Sequence, residues 1–268
     1  MSEYITTYTG NHFKPTNPDP ELIRIEDIAH ALSLICRGNG HVKTFWSVGE
    51  HCICCAKEAA ARLAQECGVF AKGYALAPTD EEQIKAVFDD IRSQGYLLDT
   101  FVANAANLGL NMDNTLAIDL KDYRQVIETN MVWNFAMARQ AALQMKEKGH
   151  GALVFITSNT AYRAIPGRAA YCASKSGILG LSRALAVDLG QYGIRSNCVL
   201  PGMIKTDRWY NSPAQQNSLT ARTPLGDVAE FEDIAEAAWY LGSDASRNTT
   251  GAELSVDGGN LVQLTPRT

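Results

Sequence analysis

From residue 57 onward, apolar and polar positions alternate between two periods. Short continuous apolar runs read as buried strands, and stretches with apolar residues three and four apart read as amphipathic helices. Lys57 to Cys67 (KEAAARLAQEC) has the helical period and stops at Gly68, a residue suited to a helix C-terminus. Lys72 to Ala77 is a short strand closed by Pro78. Thr79, with Glu82 three residues on, predicts a capping box, and Ile84, Val87, Phe88 and Ile91 form one face of a helix ending near Gly95. Next come a buried strand over Leu97 to Ala103, a long helix from about Lys121 to Glu147 and a strand over Ala152 to Thr157. A second long helix spans about Ala170 to Tyr192. A strand over Arg195 to Leu200 follows, broken by Pro201-Gly202. Phe231 to Leu241 reads as a helix and Glu253 to Val256 as the last strand. Strand and helix in strict alternation predict an α/β fold: a doubly wound, Rossmann-like parallel sheet covered on both faces.

Residues 1–56 differ in texture. Pro15, Pro18 and Pro20 fall within six residues, which excludes helix interior and central strand there. Around them, Tyr4 to Thr9 and His41 to Val48 read as strands. Glu21 to Cys36 reads as a helix ended by Gly38-Asn39-Gly40. In the doubly wound order, the third strand reaches the fourth only through the first two. Without those two, buried strand edges would carry unpaired backbone groups. The opening segment is therefore expected to complete the sheet, giving one domain over 1–268 with residues 1–56 as an atypical segment within it.

Composition narrows the class. A chain of 268 residues fits one large α/β domain, and 46% apolar with 20% charged residues excludes intrinsic disorder. The net charge of −5, with no basic tract, argues against nucleic acid or an anionic membrane as partner. No apolar run approaches the roughly 18 residues of a membrane span, and MSEYITTYTG does not read as a signal peptide, so a cytoplasmic location is expected. Seven cysteines, an odd number, suggest free thiols. The run His51-Cys52-Ile53-Cys54-Cys55, near Cys36, lacks the second matched pair of a zinc site, so no metal is expected.

The chemistry-bearing pattern is Tyr171-Cys172-Ala173-Ser174-Lys175. A spacing of four places Tyr171 and Lys175 on one helix face, about one turn apart. A phenol is a poor acid–base catalyst at neutral pH, and a nearby ammonium favours its ionised form. Thirteen residues upstream, Ser158 ends the ALVFITS strand, where its hydroxyl can donate to a substrate carbonyl. Plainer roles are open beside these: Ser158 as a strand-end cap, and Asn130, in ETNMVWNF, as a satisfied helix kink.

Over roughly residues 57–262 the chain resembles the short-chain dehydrogenase/reductase family. The resemblance rests on five motifs in order: Asn104-Ala105-Ala106 after a strand; Asn130 in the long helix; Ser158 with Tyr171 and Lys175; Pro201, Gly202, Ile204 and Thr206 in a P-G-x-x-x-T pattern; and Thr250-Gly251 through Val256-Asp257-Gly258-Gly259. It implies an NAD(P)-dependent oxidoreductase interconverting a carbonyl and an alcohol. Tyr171 would be the acid–base, and Lys175 would lower its pKa and bond the nicotinamide ribose. Ser158 would orient the carbonyl, and Asn130 would hold a water of the proton relay. Asn104, Ala105, Tyr171, Lys175, Pro201, Gly202, Ile204 and Thr206 would contact NAD or NADP. Thr206 to Arg222, with Trp209 and Tyr210, would form the substrate lid. The long helices would pair into a homodimer or homotetramer, with Ala136, Ala141, Ala142, Leu181 and Leu185 among their small and apolar residues.

The departures matter as much. Family members open with T-G-x-x-x-G-x-G, whose glycines let backbone N–H groups approach a pyrophosphate at a helix N-terminus. Here Thr9-Gly10 is followed by Asn11-His12-Phe13-Lys14-Pro15, and Gly38-Asn39-Gly40 reads as a turn. The acid often found after the third strand is replaced by Ala77-Pro78, while Glu50 is a candidate ribose-binding acid if the second strand ends near Val48. Residues 1 to about 55 instead resemble the opening of HD-type phosphohydrolases, with His51 at a metal-ligand position. No His-Asp dipeptide occurs in the chain, so that site is incomplete and the chain reads as a fusion. Weak or absent dinucleotide binding follows. The alternative function is a catalytically impaired, dehydrogenase-like binding or scaffold protein; a phosphohydrolase is a remoter one.

Overall fold

The computed structural model describes residues 2–8, 42–50, 60–61, 64–65, 70–76, 80–109, 114–205, 209 and 213–265. Seven strands, β1 (Ser2–Tyr8), β2 (Val42–Glu50), β3 (Phe70–Leu76), β4 (Thr100–Ala103), β5 (Gly151–Ile156), β6 (Ile194–Pro201) and β7 (Glu253–Val256), form one sheet. Its order is β3-β2-β1-β4-β5-β6-β7, and every pairing is parallel. The opening segment does complete the sheet: β1 pairs with β2 over Ser2 to Tyr8 and with β4 over Tyr4 to Thr6. The order in which the chain adds strands reverses between β1 and β4, so connections leave the carboxyl ends there in opposite directions. That crevice is where ligands bind in open α/β sheets.

The buried strands alternate side chains between two cores. Phe101, Ala103, Leu153, Phe155, Cys198 and Leu200 face one layer. That layer is built by helices α1 (Glu81–Ser93), α3 (Asn134–Lys148) and α4 (Ala169–Leu189), and α2 (Leu120–Ile127) packs on α4. Val102, Val154, Ile156 and Val199 face Ile234, Ala235, Ala238 and Leu241 on helix α6 (Phe231–Gly242). Helix α5 (Pro213–Ala221) lies in the segment expected to form the lid.

Sequence and structure differ at several element boundaries. The N-cap of α1 is Asp80, whose Oδ1 accepts from the Gln83 amide at 3.0 Å; the proposed Thr79 cap lies outside the described residues. The expected continuous helix over 121–147 is interrupted by a π-helical turn, Glu128–Trp133, between α2 and α3. Helix α3 ends as its sequence suggests, with Gly149 at φ +78° taking the left-handed turn that a side chain disfavours. The Glu21 to Cys36 helix, the Thr9 to Pro15 turn, Gly38-Asn39-Gly40, the cysteine cluster at 36–55 with His51, and Ala77-Pro78 lie outside the described residues. Of the proposed 57–67 helix, residues 60, 61, 64 and 65 are described and are helical.

Candidate active site

The site is built where β4, β5 and β6 end. Strand β5 stops at Ile156, and Ser158 caps the short 3-10 turn Asn159–Ala161, its Oγ accepting from the Thr160 amide at 3.1 Å. The plain reading of Ser158 as a cap is thus correct, and it is compatible with chemistry. The cap fixes the rotamer and leaves the hydroxyl beside the Tyr171 phenol, whose ionised form it favours.

Tyr171 and Lys175 share a face of α4 as their spacing requires, with Lys175 Nζ 5.6 Å from the Tyr171 ring centroid. Lys175 is 3% exposed, and its Nζ donates to Ile156 O at 2.9 Å, which anchors α4 to the end of β5. The electrostatics depart from the expectation drawn from the pairing alone. Some of Tyr171 stays accessible, yet desolvation pushes its phenol up to about 12, against a smaller lowering from Ser158. Burial also brings the Lys175 ammonium down to about 8. The phenol is therefore raised, where the pairing with Lys175 alone implies a lowering, because desolvation is the largest influence on it. Tyr171 is a protonated acid at neutral pH, and Lys175 is a cation close to losing its charge.

Asn130 sits in the π-turn, 1% exposed. Its Oδ1 accepts from the Asn107 amide at 2.6 Å, and its Nδ2 donates to Asn107 O and to Ser174 Oγ, both at 2.9 Å. Ser174 Oγ in turn donates to Tyr171 O at 2.7 Å. The side-chain amide is thus committed to the protein, as the satisfied-kink reading expects. Only its backbone carbonyl faces another group: Asn130 O accepts from Asn134 Nδ2 at 2.8 Å, and a carbonyl retains a second lone pair. Asn134 Nδ2 also reaches Ala105 O at 3.3 Å. Ser174 and Asn134 were missed from sequence. Their spacing to Tyr171 and Asn130 was visible, but nothing marked them as buried.

Asn104 and Ala105 follow β4 and are 6% and 1% exposed. Pro201 ends β6, and Gly202 lies so close to β7 that an added Cβ would stand 2.6 Å from Asp257 Cβ. Ile204 forms a parallel bridge with Ala229. Thr206 and Tyr210 lie outside the described residues, and Trp209 is buried, its carbonyl accepting from Gln216 Nε2 of α5 at 2.7 Å. The Thr250-Gly251 to Gly259 run proves architectural: Thr250 Oγ1 accepts from the Ser196 amide at 3.1 Å, and Asp257 accepts from the amides of Gly259 and Leu261 at 2.9 and 2.7 Å. Glu50 is the last residue of β2. Among the described residues no His, Cys, Asp and Glu cluster could hold a metal, and no helix is long and apolar enough to cross a membrane.

The donor set suits a dinucleotide at its nicotinamide end. Two hydroxyls and an ammonium meet beside the switch-point crevice, and Lys175 uses one of three N–H donors on Ile156 O.

A family model described as enoyl-(acyl carrier protein) reductase matches residues 12–260, so the match reaches into the opening segment. The chain is 34% identical over 210 residues to a 3-oxoacyl-(acyl-carrier-protein) reductase of Rickettsia bellii, covering 70% of this chain and 86% of that one. The corresponding Escherichia coli K12 reductase is 34% identical over 195 residues, covering 72% and 78%. The fold resembles a gluconate 5-dehydrogenase from Burkholderia cenocepacia solved with NADP and tartrate. The TM-score is 0.82 at 24% identity, over 98% of this chain and 97% of that one. It also resembles a short-chain type dehydrogenase/reductase from Mycobacterium ulcerans, with a TM-score of 0.83 at 24% identity over 99% and 92%.

Proposed function

Because the chain belongs to the short-chain dehydrogenase/reductase family, and is thus an oxidoreductase, we propose that it reduces a small carbonyl substrate to an alcohol, and the reverse, with Tyr171 as acid–base. The observation that carries this reading is the placing of the Ser158 hydroxyl beside the Tyr171 phenol, with Lys175 Nζ 5.6 Å from its ring, at the carboxyl edge of the sheet. NAD or NADP, when bound, supplies or removes the hydride. Asn104, Ala105, Tyr171, Lys175, Pro201, Gly202, Ile204 and Thr206 would hold its nicotinamide half. The gluconate dehydrogenase solved with NADP supports the choice of cofactor class.

In the reducing direction, Ser158 and Tyr171 donate to the substrate oxygen. Tyr171 then gives up its proton as that oxygen gains charge. A phenol held at about 12 is well suited to this, because it stays protonated until a stronger base forms beside it. The Lys175 cation stabilises the phenolate left behind, and the Asn130 carbonyl offers a lone pair to a water from which the proton is restored. Tyr171→Phe removes only the hydroxyl. It is expected to abolish turnover in a steady-state reduction assay while the circular dichroism spectrum and melting temperature stay near native. Retained turnover removes Tyr171 from this role.

Residues 1–56 are read as an atypical part of one domain over 1–268. Their likeness to HD-type phosphohydrolases brings no hydrolase chemistry, since no His-Asp dipeptide occurs. The proposed assembly is a homodimer or homotetramer in the cytoplasm. The residues first named for the interface pack inward: Ala136, Ala141 and Ala142 are buried, and Leu181 and Leu185 pack on the core. The outer apolar positions are Val132, Phe135 and Leu143, at 48%, 40% and 51% exposure. Spaced three and eight residues apart, they form one stripe that a second copy would cover. Light scattering at micromolar concentration should give a mass of at least twice 29.2 kDa; a monomer rejects this assembly.

A further inference from the structure

Asn260 ties together three parts of the carboxyl edge. Its Oδ1 accepts from Asn159 Nδ2 at 3.1 Å, its backbone oxygen accepts from Arg163 Nη1 at 2.5 Å, and its Nδ2 donates to Arg222 O at 2.8 Å. Asn159 directly follows Ser158, Arg163 lies on the same turn, and Arg222 directly follows α5. Between them lies an open, solvent-facing cavity of about 260 Å³ lined by Arg163, Arg222, Gln263, Leu264 and Thr265, of which all but Gln263 are exposed.

The charge in this cavity is uncompensated among the described residues. Arg92, Arg139 and Arg183 each meet a glutamate. Arg163 instead meets two backbone carbonyls, Asn260 O and Gln263 O, the latter at 3.1 Å, which orient the guanidinium without neutralising it. The Arg222 guanidinium has neither a hydrogen bond nor an acidic partner among the described residues. Two like charges on one cavity repel each other, in a chain whose net charge is −5. An anion between them relieves the repulsion, and the planar guanidinium fork matches a carboxylate.

We propose that this cavity binds the carboxylate of a substrate whose carbonyl or hydroxyl carbon lies at Ser158 and Tyr171, so that the substrates are oxo and hydroxy carboxylates. The carbonyl end of this statement rests on the oxidoreductase reading; the anion end rests on Arg163 and Arg222 alone. Contacts remote from the reacting atoms hold ground and transition states alike, so they act through KM and leave kcat largely unchanged.

The test is a panel of 3-, 4-, 5- and 6-oxo carboxylates against their methyl esters, with NADH and NADPH. It compares the native chain, an Arg163→Gln, Arg222→Gln double variant and an Arg163→Lys, Arg222→Lys double variant. At least one acid should exceed its ester in kcat/KM by roughly ten-fold or more, through KM, a difference within reach of one charge-assisted contact. The ratio should fall to near one in the glutamine variant and be partly kept in the lysine variant, which preserves charge. A native ratio near one for every pair, or a ratio that survives in the glutamine variant, overturns the proposal. Calorimetry with the same oxo carboxylates, without dinucleotide, separates the two readings. Arginine-dependent binding without turnover leaves the anion site standing and removes the oxidoreductase reading. Turnover without arginine-dependent selectivity does the reverse, and neither binding nor turnover removes the anion site.

Discussion

Lys175 holds its charge where the surroundings oppose it. Its folded pKa of about 8 lies below the ordinary 10.5, so burial favours the neutral form. At pH 7 the folded chain therefore keeps a proton against a penalty on the order of 3 kcal/mol, at about 1.4 kcal/mol per unit. The sign follows directly. The penalty is complete below about pH 8 and fades as pH rises toward 10.5, where the unfolded chain also loses the proton. Lys175→Met removes the charge and one hydrogen bond to Ile156 O, so the variant should be more stable at pH 7 by roughly 1–2 kcal/mol and inactive. The gain should vanish near pH 10.5, and urea midpoints at the two pH values measure it. A variant no more stable than native at pH 7 shows that the charge is not opposed. At this scale the catalytic trio was legible, because a spacing of four on a helix and a strand-end serine place side chains whatever surrounds them. The titration of Tyr171 was not, because the pairing gives a charge but not the desolvation that raises the phenol.

The π-turn at Glu128–Trp133 organises the elements around the trio. A π-turn widens the helix by one residue and commonly marks functional positions. Here it buries Asn130 and Asn134 between β4 and α4. The resulting chain of bonds runs from Ala105 O through Asn134 and Asn130 to Ser174 and the Tyr171 carbonyl. Ser174→Ala deletes the oxygen that Asn130 Nδ2 reaches and leaves a buried donor one partner short, a cost of about 1–3 kcal/mol. If the chain of bonds also sets the height of Tyr171 over the substrate, kcat falls about ten-fold with KM near native, since misplaced catalytic groups affect the transition state most. A lowered melting temperature with unchanged kcat would make Ser174 a purely structural residue. The sequence showed these elements but not this detail. ETNMVWNF carries apolar residues at ordinary helical spacing, so it reads as one helix over 121–147. Only the packing against α4, where a Cβ on Gly177 would stand 2.5 Å from Met131 Cε, distinguishes a widened turn from a regular one.

At the scale of the molecule, the sheet is complete although its first 56 residues look unlike the rest. Strands β1 and β2 were legible because unpaired edges between the third and fourth strands could not stand, and the structure pairs both in parallel register. A sheet needs only extended residues of suitable length, whereas a phosphate site needs particular ones. After β1 the chain reads Thr9-Gly10-Asn11-His12-Phe13-Lys14-Pro15, with one glycine where the family uses three. From sequence alone, side chains in place of glycines would keep backbone N–H groups from closing on a pyrophosphate, and Pro15 has no N–H to offer. Each charge-assisted hydrogen bond lost this way is worth roughly 1.5–3 kcal/mol, so losing two weakens binding by about two to four orders of magnitude. The nicotinamide end keeps Lys175 and Tyr171 in place, so affinity there should persist. Titration calorimetry with NADH and NADPH is therefore expected to give dissociation constants in the range of about 0.1 mM or weaker, against the micromolar values reached when the phosphates are fully held. Micromolar binding of either dinucleotide would mean that Thr9 to Pro15, or a neighbouring segment, builds a phosphate site without glycines. Binding of neither, at millimolar concentration, would take hydride transfer away from the Ser158, Tyr171 and Lys175 site.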